Sequence, residues 1–138
     1  MKKANKLLRK RLLKSKKEMN QKTKVSFCLL TGILFTLFAA FQYNDPDPLV
    51  WILVYMFVAV LSVISIFRRL NQYLILTTII MYASGAIYLW PDVYMGVTMP
   101  MSYKPEIELA RESLGLGIAA LTLTGLLAFS IPKKRVTA

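Results

Sequence analysis

The sequence predicts an all-α integral membrane protein: a four-helix bundle, N-in/C-in, with a basic amphipathic N-terminal segment. Three observations carry this. Hydrophobic residues make up 56% of the 138, and mean hydropathy is +0.49, too apolar for a soluble chain of this size. Four runs carry no charge: Val25–Phe41, Leu49–Phe67, Tyr73–Trp90 and Leu114–Ile131. About 20 helical residues cross the hydrocarbon layer, and in lipid each backbone amide must be satisfied within its own helix, so these runs read as helices. Finally, 16 of the 18 basic residues fall in the N-terminal tail, the second loop and the C-terminal tail, against only Lys104 and Arg111 in the first and third loops. Positive charge stays on the cytoplasmic side, so an even span count with both termini inside is expected.

In chain order, residues 1–24 form a basic cytoplasmic tail, 25–132 the membrane domain and 133–138 a second cytoplasmic tail. The spans are expected at about 25–42, 49–67, 73–90 and 106–131. Ala4, Leu8, Leu12 and Met19 share one face of the first segment, and the rest of its surface is mostly cationic. That pattern suits a helix lying on an anionic leaflet. The net charge of +11 does not imply nucleic acid, because the cations are arranged by membrane side. The cationic region is too long for a cleaved leader, and no small-x-small site follows Ala40.

Gly32, Thr36 and Ala40 repeat every four residues in the first span, which lets a neighbouring helix approach. Asp45-Pro46-Asp47-Pro48 then forces a turn, with Asp47 as N-cap and Pro48 as first helical residue of the second span. Trp51 and Tyr55 follow on one face. Arg68-Arg69-Leu70-Asn71-Gln72 is short enough to make spans two and three antiparallel neighbours. Tyr43, Trp51, Tyr88, Trp90, Tyr94 and Tyr103 suggest an aromatic belt on the outer side. The irregular, apolar stretch Pro91–Lys104 is expected on the outer surface or over the bundle mouth. Pro105 opens the last helix.

The polar groups concentrate at two places. Gln42, Asn44, Asp45 and Asp47 occupy the first outer loop, with Trp51 and Tyr55 below. Glu108, Arg111, Glu112, Gly115 and Ala119 form one helical stripe, charged above and small below. Small residues on a membrane helix face other helices, so the charged part should face the loop. Arg111 is expected to pair with Asp45 or Asp47, locking loop to helix. This cluster is a structural clamp or a ligand site.

No catalytic set, metal site or cofactor is expected. Histidine is absent, the single cysteine is Cys28, and no phosphate loop or Cys-x-x-Cys pair occurs. The acids lack calcium-loop spacing, and Met95, Met99 and Met101 have no Cys or His beside them to form a copper site. The reading is a non-catalytic binding or accessory subunit of the cell membrane (the inner membrane if bacterial). Its expected partners are the bilayer, anionic lipids at the tail, and a second copy or another membrane protein, with no nucleic acid. The alternatives are a small transporter or ion-conducting unit, or an interfacial enzyme using a carboxylate pair such as Asp45 with Glu112.

Around Gln42, Asn44-Asp45-Pro46-Asp47, Trp51 and Tyr55, and again at Glu108, Arg111-Glu112 and Gly115, the chain resembles the transmembrane protein 220 family of small integral membrane proteins. The first block is the more specific. The resemblance runs from span one to span four and omits the basic tail. It implies a multi-pass membrane protein and supplies no chemistry.

Overall fold

A computed structural model describes residues 2–45, 47–97 and 105–131, with side chains described from Arg9 onward, Lys10 excepted. The elements are α1 (Lys2–Phe41), a 3-10 turn at Gln42–Asn44, α2 (Pro48–Phe67), α3 (Gln72–Tyr88) and α4 (Pro105–Ser130). The described residues contain no strand, as the apolar runs require.

α1 departs from the expectation of a separate surface segment. Its 40 residues form one continuous helix. Neither proline nor glycine lies between the tail and the first span, so nothing stops propagation at Lys24. At 1.5 Å per residue α1 is about 60 Å long, twice the hydrocarbon thickness. The side chains of Ala4 and Leu8 lie outside the described residues; Leu12, Leu13 and Met19 are exposed.

Three stretches are long and apolar enough to cross a membrane: Arg11–Asn44, Pro48–Phe67 and Pro105–Ser130. α3 is a shorter apolar helix of 17 residues, about 26 Å. Asn71 caps it by accepting from the Tyr73 amide at 2.9 Å.

The helices pack as two hairpins, α1 on α2 and α3 on α4, joined mainly where α2 meets α4. Cys28, Thr31, Phe35 and Ala39 line the buried face of α1, at offsets of 3, 7 and 11. Val58, Ala59, Ser62 and Ser65 answer from α2. Gly32 also faces α2, near Val63 and the Ala59 carbonyl, whereas Thr36 and Ala40 are exposed. Large apolar side chains cover the outside instead: Leu30, Ile33, Leu53, Ile80 and Leu121 are all more than half exposed. Such a surface suits lipid rather than water.

Hydroxyl groups tie the helices at three levels. Thr31 donates to the Ser62 hydroxyl at 3.2 Å, Tyr82 to the Val54 carbonyl at 2.7 Å, and Ser113 to the Ala86 carbonyl at 2.6 Å. Each contributes about 0.6 kcal/mol on average in a membrane. α3 reaches α2 through the Tyr82 contact, while its backbone packs on α4. Chain neighbours α2 and α3 are therefore less intimate than their short loop suggests.

α2 and α4 approach closely at Tyr55 and Gly115. A Cβ on Gly115 would overlap the Tyr55 hydroxyl and touch the ring. Tyr55 is itself held by Phe35, Phe38 and Trp51, with ring centroids 5.7–6.1 Å away. Gly115→Ala is thus expected to destabilise the bundle by about 1–3 kcal/mol, the usual range for overpacking. Adding Tyr55→Phe, which removes the clashing oxygen, should recover part of that loss in detergent melts. A Gly115→Ala protein as stable as wild type would place the α2–α4 contact elsewhere.

Candidate functional site

The acidic groups gather at one end of the bundle. Phe41 ends α1, and the 3-10 turn carries the chain over to Asp45, whose amide donates to the Gln42 carbonyl at 3.1 Å. Asp47 occupies the N-cap position of α2 with Pro48 at the first turn, as expected. Yet its carboxylate makes no capping hydrogen bond. It turns toward α4 instead. Carboxylate oxygens of Asp47, Glu108 and Glu112 all lie within 4.8 Å of one another.

α4 supplies the other half of this cluster. Glu108, Arg111 and Glu112 are half-buried, and Gly115 and Ala119 below them are buried, so the stripe faces inward as its spacing requires. Trp51, 6% exposed, lies under the cluster rather than in the aromatic belt. Its indole N–H faces the Glu112 carboxylate without closing a hydrogen bond, which leaves a buried donor beside the acids. Tyr43, Tyr88, Trp90 and Tyr94 are exposed, in keeping with a belt; Tyr103 lies outside the described residues.

Arg111 takes a different partner from the one expected. Its Nε donates to the Val97 carbonyl at 2.8 Å, and it has other contacts as well. Among the described residues no ion pair joins it to Asp45 or Asp47. The reason is reach: the irregular segment after α3 comes back over the mouth and presents a backbone acceptor to the guanidinium. The arginine therefore anchors the third loop to α4, and its charge is still felt at Asp45.

Beside the acids lies a cavity of about 320 Å³, lined by Phe38, Phe41, Gln42, Tyr55, Arg111 and Gly115, together with Val97, Leu114 and Ile118. Gln42 and the Tyr55 hydroxyl are its polar groups besides Arg111. Of the residues expected here, the structure thus brings together Asp47, Glu108, Glu112, Trp51, Asp45, Gln42, Tyr55 and Arg111. Asn44 is exposed on the turn and lines neither cavity nor cluster. Val97 and Phe41 were not among the site residues expected from the sequence, although Val97 lies in the stretch expected over the mouth. Phe38, Phe41 and Gln42 do share the i, i+3, i+4 spacing that signals a common face.

These features define a multi-pass helical membrane protein with an acidic cluster at one end of its bundle. The family model described as "Transmembrane family 220, helix" matches residues 34–128, and the chain belongs to that family. The match takes in both polar blocks and stops short of the basic tail. No curated protein and no solved structure matches the chain.

Asp45 carries a pH signature. Burial raises its pKa above the usual 3.8, the neighbouring Asp47 charge raises it further, and Arg111 opposes both. In the folded protein the proton is therefore held to higher pH than in the unfolded chain. Folding binds protons in that window, so stability falls as pH rises from about 3.8 through the folded-state value. Asp45→Asn removes this loss. It should melt no lower than wild type at pH 7, and the difference between the two should shrink as the pH drops toward 4. An Asp45→Asn protein that melts below wild type at pH 7, with the deficit vanishing on acidification, would mean that the Asp45 charge stabilises the fold.

Proposed function

We propose that this protein is a non-catalytic binding subunit whose acidic mouth takes an ammonium-bearing, partly apolar ligand or partner segment at the outer face of the membrane. The observation that supports it best is the convergence of Asp47, Glu108 and Glu112 within 4.8 Å, drawn from two separated parts of the chain. Asp45 adds a fourth carboxyl group nearby, and the Arg111 Nε donates to the Val97 carbonyl. Like charges held this close repel one another, and a cation relieves the repulsion. The adjoining cavity, walled mainly by Phe38, Phe41, Leu114 and Ile118, suits an apolar body attached to that cation. Binding is preferred to catalysis because the chain contains no histidine and no nucleophile motif. The outward placement rests on the distribution of lysine and arginine along the chain.

Decylamine, protonated at neutral pH, is a direct probe, with decanol as its uncharged counterpart. In non-ionic detergent, decylamine is expected to raise the melting temperature more than decanol does. The paired change Glu108→Gln with Glu112→Gln should remove that difference. Equal shifts from both compounds, or a shift reproduced by calcium chloride alone, would contradict an amphiphilic ammonium ligand.

A further inference from the structure

The opposite end of the molecule holds a second cavity, independent of the acidic mouth. Three segments distant in sequence build it: α1 through Lys16, Lys17 and Asn20, the α2–α3 loop through Arg69, and the end of α4 through Phe129 and Ile131. Its volume is about 490 Å³. Its position is fixed by packing, since the Phe27 ring lies over Gly125, where a side chain would collide with it, and 5.7 Å from the Phe129 ring.

The lining is divided by chemistry. Lys16, Lys17 and Arg69 are exposed cations at the rim, and no carboxylate lines the cavity. Glu18, the acid of α1, sits instead 4.0 Å from Lys14. Phe129 and Ile131 supply an apolar floor, and Ile131 is half exposed. The chain beyond Ile131 carries Lys133, Lys134 and Arg135 and no acid.

The geometry points to a binding site for an anionic phospholipid, its phosphate held by Lys16, Lys17 and Arg69 and its upper acyl chain lying on Phe129 and Ile131. Charge complementarity selects the headgroup. The continuity of the cavity with the lipid-facing end of α4 selects a lipid over a soluble anion. Cations clustered on the cytoplasmic side of membrane helices meet the leaflet that carries anionic lipid. What distinguishes this site from a diffuse basic tail is Arg69, which is far from the tail in sequence and faces the same cavity.

Native mass spectrometry of the full chain, purified in detergent and supplied with equal phosphatidylglycerol and phosphatidylcholine, tests the assignment. The wild type should retain phosphatidylglycerol preferentially. Arg69→Gln should lower that preference by about fivefold, the factor corresponding to about 1 kcal/mol for one basic residue at an anionic surface. Lys16→Gln with Lys17→Gln should lower it further. Arg9→Gln with Arg11→Gln removes two cations higher on α1, outside the cavity, and should leave the preference within about twofold of wild type. Equal losses from the two double variants would reduce the site to general tail charge. No preference in the wild type, or full displacement of the lipid by inorganic phosphate, would overturn the lipid assignment without touching the acidic mouth.

Discussion

The bundle depends on one close approach, the Tyr55 hydroxyl against the backbone of Gly115. α1 with α2 and α3 with α4 are self-contained hairpins, and α2 crossing α4 is where they meet. Membrane helices gain little from hydrophobic association, because lipid is as apolar as their side chains. Close contact at a small residue and a few hydrogen bonds must therefore fix their positions. Gly115 gives α2 its depth of approach to α4, and the Phe35, Phe38 and Trp51 rings keep Tyr55 aimed at it. One turn above, the same approach brings Trp51 beneath Glu112 and lets Asp47 abandon its capping role for the α4 carboxylates.

Charge is separated between the two ends. The acids that lie past α1 collect at one end, and the cations of α1 and the α2–α3 loop collect at the other. The arrangement gives two ends of opposite charge on one small scaffold. At the acidic end the repulsion among carboxyl groups is visible in Asp45, whose pKa is raised by burial and by Asp47. At the basic end Lys16, Lys17 and Arg69 are exposed.

Much of this was legible in the sequence. Uncharged runs gave the helices, and the i, i+3, i+4 spacing of Glu108, Arg111, Glu112 and Gly115 identified the inward stripe of α4. What escaped was partner choice. Arg111 was expected to meet an aspartate, but the third loop returns over the mouth with the Val97 carbonyl, and no periodicity reports where an irregular segment ends up. Trp51 was assigned to the interface because tryptophans gather there, whereas the Tyr55 crossing buries it. The tail was read as a surface helix because Ala4, Leu8, Leu12 and Met19 share one face of an otherwise cationic segment. Helix propagation answers to backbone-breaking residues, and none is present there. Hairpin pairing was likewise hidden, since a short loop between α2 and α3 makes them neighbours in chain without making them the best-packed pair.

The central claim is that the loop after α1 and the start of α4 converge into one acidic cluster. Cysteines at Asp47 and Glu112, in a Cys28→Ser background, measure this directly in native membranes with a short bifunctional thiol reagent. The pair is expected to be bridged within one chain, while a control pair at Asp47 and Phe67, at opposite ends of α2, is not. Failure of the first pair to bridge, with both thiols shown to be reactive, would contradict the convergence on which the acidic site rests.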